Sequence, residues 1–217
     1  GFAHKDFGRF SVGQFDSYFE DNVIEVLGVG HGDAGFVTEP SSSNDGRHLQ
    51  YTHKLGDLTV AADYTFSNSA AKDDPNNGLA LALAYKLADI TLAVGHSNHA
   101  KYKSDTSAVT KVDSVTGLSA SYKSGPVKLS ALYATEKSDT QVKTNYLGAA
   151  VVYTFGQFDL GFALQNVAKD GAAKRTEWSA GVGYNVFKGM QVYFDLNELD
   201  KAKKEGNVVE IGVKYVF

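Results

Sequence analysis

From Arg47 to the C-terminus, apolar and polar residues alternate with a period of two, in segments of about ten residues separated by turn-forming clusters. In Leu58–Phe66, the residues Leu58, Val60, Ala62, Tyr64 and Phe66 share one face of an extended chain, while Thr59, Asp63 and Thr65 take the other. Leu79, Leu81, Leu83 and Tyr85 alternate in the same way with Ala80, Ala82, Ala84 and Lys86. Phe158, Leu160, Phe162 and Leu164 alternate with Asp159, Gly161, Ala163 and Gln165. The last segment sets Val209, Ile211, Val213, Tyr215 and Phe217 against Glu210, Gly212 and Lys214. The pattern predicts roughly twelve strands, near 7–16, 47–55, 58–67, 77–88, 90–103, 112–124, 127–138, 141–156, 157–169, 172–187, 190–200 and 207–217.

The connections alternate too. Short ones fall at Gly56-Asp57, Ala88-Asp89, Gly125-Pro126, Gly156-Gln157 and Lys188-Gly189, and longer polar ones around 67–77, 103–112, 138–141, 168–174 and 199–207. Together these features describe an all-β chain: a transmembrane antiparallel up-and-down β-barrel, with short turns on the periplasmic side and longer loops outside. Tyr64 with Phe66, and Tyr153 with Phe155, stand near strand ends, where such barrels carry aromatic girdles. A soluble β-sandwich or lipocalin has the same period with its apolar faces turned inward. The second face decides against it, because Ala, Gly, Thr, Lys and Asp pack a poor core and suit a water-filled lumen.

Composition adds exclusions. No run approaches the ~18 consecutive apolar residues of a membrane helix, and the aromatic content of 12% with only 3 Pro favours strands. With no cysteine, thiol catalysis and Cys-ligated zinc are out. A net charge of −4 and only three arginines leave no basic face for a phosphate backbone, so nucleic acid is not an expected partner.

One connection departs from the rhythm. After Asp16, about thirty residues pass before Arg47, and loops of this length in compact domains usually have a task. The segment holds Asp16, Glu20, Asp21, Glu25 and Asp33, and an apolar stretch from Val23 to Leu27 suited to a short helical turn packed on a wall. The expectation is a single domain over 1–217 in which residues 17–46 fold into the lumen.

The run Asp6-Phe7-Gly8-Arg9-Phe10-Ser11-Val12-Gly13-Gln14-Phe15-Asp16 resembles the strand of the form F-G-x-x-x-x-G-R/K found in Gram-negative general porins of the OmpC and OmpU type. Arg47-His48-Leu49-Gln50-Tyr51, with Leu55-Gly56-Asp57-Leu58, resembles the strand and tight turn that follow, and the likeness continues to Phe217. The final Tyr215-Val216-Phe217 resembles the C-terminal signal of outer-membrane barrels. The resemblance implies an outer-membrane, multi-pass pore for passive diffusion of ions and small hydrophilic solutes. It also implies a homotrimer surrounded by outer-membrane lipids, sixteen strands per barrel and a third outer loop that narrows the lumen. On that plan the chain begins at about the fifth strand and is either a fragment lacking the first four or so, or a self-contained twelve-stranded barrel. Gln14 stands where the family carries Arg or Lys, and the loop tip is matched only loosely by Gly30-His31-Gly32-Asp33, which leaves the basic side of the constriction open.

A pore acts through its width and the charges at its narrowest point. Asp16, Glu20, Asp21, Glu25 and Asp33 on the loop would favour cations mildly. Strand parity turns Lys54, Asp63, Lys86, Lys128, Asp159, Asp195, Glu210 and Lys214 to the lumen, and Gln14 joins them as a pore-lining residue. A charge on the lipid face would cost ~2–4 kcal/mol near the midplane. Arg47 shares parity with apolar Leu49 and Tyr51, so it stands above the apolar band or is turned by a bulge. The six histidines, at 4, 31, 48, 53, 96 and 99, read as surface residues, and no metal or cofactor is expected. The competing reading is a hydrolase or export barrel of about twelve strands. For the hydrolase, Ser97 beside His96 and His99 is the one candidate neighbourhood, although adjacent strand residues diverge. Gly28-Val29-Gly30-His31-Gly32 lacks the strand and helix of a phosphate loop.

Overall fold

The computed structural model describes residues 1–30, 37–40, 47–66, 78–98, 112–138, 140–199 and 207–215. Within them the chain forms one antiparallel sheet of 13 strands, each hydrogen-bonded to its sequence neighbours. They are β1 (Phe2–His4), β2 (Gly8–Gly13), β3 (Arg47–Leu55), β4 (Leu58–Phe66), β5 (Gly78–Leu87), β6 (Ile90–Asn98), β7 (Val112–Ser124), β8 (Val127–Ser138), β9 (Lys143–Phe155), β10 (Phe158–Lys169), β11 (Arg175–Phe187), β12 (Met190–Glu198) and β13 (Val209–Tyr215). Among the described residues β1 and β13 are not paired with each other. Strand β1 is one more than the alternation predicts. Its three residues are too few to display a period, and only the register Phe2↔Phe10, Ala3↔Arg9, His4↔Gly8 identifies it.

Side-chain period two separates the faces as expected. On β5, Leu81 is 53% exposed and its neighbour Ala82 3%. The same division holds for Leu92 against Ala93 and Leu118 against Ser119. The exposed face is thus a continuous apolar band of Leu, Val, Tyr and Phe, which in water would be a large liability and in lipid is the required surface. Rings meet on this band: Phe158 of β10 and Tyr184 of β11 have centroids 4.9 Å apart, and along β4 Tyr64 and Phe66 meet edge to face at 4.9 Å. Arg47 pairs with Phe66 at the long-loop end of this face, without a bulge. This places it above the apolar band.

The core lies where the segment after β2 covers the opposite face. Phe19, Val23 and Ile24 are buried with Ala61, Ala80, Ala82, Ala84, Ala93 and Val115. Leu27, Val29 and Val37 are buried with Leu132, Ala134, Tyr146, Ala150, Ala163 and Val167. The wall side chains are mostly alanine because a covered lumen leaves room for one layer of large residues, and the loop supplies it. Burying five loop side chains (Phe19, Val23, Ile24, Leu27 and Val29) at roughly 1.5–3 kcal/mol each stabilises the loop against the entropy of ordering it.

Candidate functional site

The loop's course begins with a cap. Ser17 Oγ accepts the Glu20 amide at 3.1 Å and the Asp21 amide bonds Ser17 O at 3.1 Å, which starts a helical turn that continues as a π-helix over Glu20–Ile24. The sequence signal is Ser17-x-x-Glu20, the first half of a capping box. The turn therefore lies earlier than the expected Val23–Leu27. The Glu25 amide closes on Glu20 O at 3.0 Å, and Ser119 Oγ of β7 donates to Asn22 O at 3.0 Å, tying the turn to the wall.

What admits the loop to the wall is a line of glycines on the covered face. A Cβ at Gly95 of β6 would overlap the Phe19 ring, and one at Gly117 of β7 would come 2.9 Å from Val23 Cγ1. At Gly148 of β9 it would overlap Leu27 Cδ1, at Gly161 of β10 the Val29 carbonyl, and at Gly181 of β11 it would lie 2.8 Å from Gly30 Cα. Gly95 pairs with Gly117 and Gly161 with Gly181. The groove is therefore set by register and not by one strand. Glycine inside a strand weakens it unless another backbone must approach. Here five strands share that requirement.

The return limb is clamped by a carboxylate. Glu177 of β11, fully buried, accepts the Thr38 amide and the Thr38 hydroxyl at 2.9 Å each, and Arg175 Nε at 2.5 Å. Gln165 of β10 donates to Thr38 O at 2.6 Å. Glu177 was not among the sequence candidates: parity places it inward, but its partner is 139 residues away.

The acidic residues divide into two groups. Asp16 and Asp21 are exposed and Glu25 half-buried, so their carboxylates stand on the open side of the loop. Glu20 is buried instead. Its carboxyl and that of Glu39 on the return limb both lie within hydrogen-bonding reach of Glu25. Burial, then Glu25 and Asp16, pushes Glu20 up to about 10, and burial with Glu25 pushes Glu39 up to about 8. Burial and the acids Asp16, Glu25 and Asp63 also raise Asp21. Glu20 is thus held protonated at neutral pH and Glu39 is shifted toward its protonated form, and each hydrogen-bonds Glu25 between the outgoing and returning limbs. Asp33 lies outside the described residues, as do His31, Gly32, His99, Val216 and Phe217.

The strand candidates lie on the sheet face that the loop partly covers. Asp63 and Asp195, however, are beneath the loop and not beside an open path. Asp63 accepts Gln50 Nε2 at 2.6 Å and the Tyr18 amide, while Asp195 sits by Gly181 under Gly30. Asp159 accepts Thr154, Asn185 and Gln191 at 2.8, 3.0 and 3.1 Å. Glu210 accepts Tyr193 OH at 2.8 Å. Lys54, Lys86, Lys128 and Lys214 are exposed at the short-turn ends, and Gln14 is exposed at the bend after β2. On the covered face Arg9 donates Nε to Ser11 Oγ at 3.0 Å, a cation that was not among the sequence candidates. A cavity of about 590 Å³ opens there, lined by His4, Arg9, Tyr18, Gln50, Thr52 and Lys54 among others.

One histidine corrects the surface reading. His48 is fully buried, 3.3 Å from the Thr65 hydroxyl, with its ring tilted against that of Phe15 at 5.5 Å between centroids. His96 bonds Thr116 at 2.8 Å on the apolar-band face, whereas Ser97 is buried on the other. The two cannot act as nucleophile and base.

A family model described as Gram-negative porin matches residues 1–204. No curated protein matches the chain. Among solved structures, a porin refined at 1.8 Å superposes with a TM-score of 0.76 at 22% identity, over 97% of this chain and 78% of that one. A loop L8 deletion mutant of OmpT, an outer-membrane protein of Vibrio cholerae, gives 0.69 at 18% identity over 97% and 76%. An anion-selective porin from Comamonas acidovorans gives 0.69 at 16% over 98% and 75%. At these identities the structures attest to the fold.

Proposed function

The chain belongs to the Gram-negative porin family, and from that premise we propose how its own residues set the pore. The protein is an outer-membrane porin for passive diffusion, a channel and not an enzyme. Residues 17–46 form the constriction. The observation that carries this is the seating of Phe19 to Val29 along the glycine line of β6 to β11, which holds the loop on the lumen face and leaves Asp16 and Asp21 exposed. Ions and small hydrophilic solutes pass between those carboxylates and the remaining wall.

Mild cation preference follows from Asp16, Asp21 and Glu25, with Glu20 contributing little because it is neutral at pH 7. Fold alone does not fix this sign, since an anion-selective porin has a similar fold. Small side-chain charges at the narrowest point decide it. A homotrimer in outer-membrane lipid is the assembly that the exposed apolar band and the family membership favour. Liposome swelling tests the size limit. Sugars of increasing mass should enter at falling rates with a sharp cut-off, and a Gly161→Ala variant that displaces Val29 should change the cut-off. Equal rates with and without protein would refute the pore.

A further inference from the structure

The lumen face changes sign toward its short-turn end. Lys54 stands one residue before the end of β3, Lys86 one before the end of β5, Lys123 one before the end of β7 and Lys128 one after the start of β8. Registers put all four on the face that carries the loop: Lys54 pairs with Thr59, Lys86 with Thr91, and Lys123 directly with Lys128. The side chains are exposed and have no hydrogen-bond or ion-pair partner among the described residues. Hydroxyls of Thr59, Thr91, Ser121 and Ser130 occupy the same face between them. Asp57 and Asp89 are exposed in the adjoining turns, where their carbonyls accept the Lys86 and Lys123 amides at 2.9 and 3.0 Å without an ion pair to either lysine side chain, and the nearest acid on the rim further round, Asp159, is held by Thr154, Asn185 and Gln191. With strands ~4.8 Å apart, the arc from β3 to β8 spans about 24 Å.

Two features make this more than wetting. Like charges directly opposite across an antiparallel pair are destabilising, and Lys123 against Lys128 is such a pair with no intervening acid. Over this arc the rim also carries four lysines against the two turn acids Asp57 and Asp89, whereas the exposed charges of the loop, Asp16 and Asp21, are acidic. We propose that Lys54, Lys86, Lys123 and Lys128 form a collar that binds small polyvalent anions carrying phosphate groups at the short-turn mouth of the pore. An ammonium is a point charge without the fork geometry of arginine, so four of them select charge density and not shape. A monovalent anion meets one lysine in high dielectric and gains little. A trivalent or tetravalent one engages several at once. Because acidic residues lie deeper, an anion held in the collar obstructs the path instead of following it. The collar rests on the pore reading above only for this last consequence.

The experiment uses the whole chain and inorganic tripolyphosphate at low salt, where screening is weakest. In detergent micelles, its phosphorus NMR lines should broaden with wild type, and binding should weaken at least ~10-fold in the Lys86→Gln, Lys123→Gln, Lys128→Gln triple variant. Lys128→Glu, which gives Lys123 an ion-pair partner in an otherwise unchanged wall, should lose binding likewise and guards against misfolding of the triple variant. In planar bilayers, tripolyphosphate added on the short-turn side should interrupt the current at lower concentration than on the other side. No broadening with wild type, broadening unchanged in both variants, or equal block from both sides overturns the collar. Binding lost in the variants without any current in wild type would uphold the collar and refute the pore.

Discussion

Single residues hold the loop by two opposite means, one a missing side chain and the other a buried charge. Gly161 lies under the Val29 carbonyl, so Gly161→Ala forces backbone and not merely a flexible side chain to move. An overpacking cost of about 1–3 kcal/mol is expected, borne by the loop while the sheet remains folded. Single-channel conductance should shift by a measurable step, whereas strand content by circular dichroism should not. Glu177 makes charge-assisted bonds to Thr38 and Arg175. Removing it by Glu177→Ala strands the Thr38 amide and costs about 2–3 kcal/mol locally. Amide exchange at Thr38 is the readout, and it should accelerate about 30-fold or more, 2 kcal/mol corresponding to that factor. Neither residue stood out in the sequence. Strand parity says only that position 177 faces inward, and the use of the glycines at 95, 117, 148, 161 and 181 shows only when the register aligns them with the loop.

At the scale of elements, the strands were legible because a membrane wall enforces its period on every residue pair. Leu83 on β5 is 47% exposed on the apolar band, and Leu83→Arg should cost ~2–4 kcal/mol in the barrel's unfolding free energy. Ser121→Arg on the lumen face of β7 should cost a small fraction of that, as urea unfolding in lipid will show. The loop obeys no such period, which is why its helical turn was expected at the apolar run and formed instead at the Ser17 cap. Burial of Glu20, expected to face the path, has the same origin: a π-turn rotates side chains differently from any simple repeat. Its carboxyl also makes the loop pH-sensitive. An acid whose folded pKa is raised binds more protons folded than unfolded, so stability present below the ordinary value of 4.5 is lost as pH rises. The loss is complete at about 8 for Glu39 and about 10 for Glu20. Conductance noise from loop motion should therefore grow between pH 7 and pH 10, and a Glu20→Gln variant should flatten the rise. A steady trace across that interval would contradict the carboxyl clamp.

For the whole molecule, the sheet supplies a lipid-facing band and a wet lumen, and the loop converts a wide lumen into a filter. The sign of that filter is a balance between Asp16, Asp21 and Glu25 on the loop and Arg9, Lys54 and the other rim cations on the wall. Since Glu20 is held protonated at neutral pH and Glu39 is shifted the same way, fewer charges decide selectivity than the sequence suggests, and removing two should be enough to move it. The direct measurement is the reversal potential of wild type and of an Asp16→Asn, Asp21→Asn variant in planar bilayers across a tenfold gradient of potassium chloride. Wild type should conduct with a reversal potential on the cation-selective side, and the double variant should conduct with that potential shifted toward zero or beyond. Absence of conductance in wild type, or an identical reversal potential in the two proteins, would contradict the account.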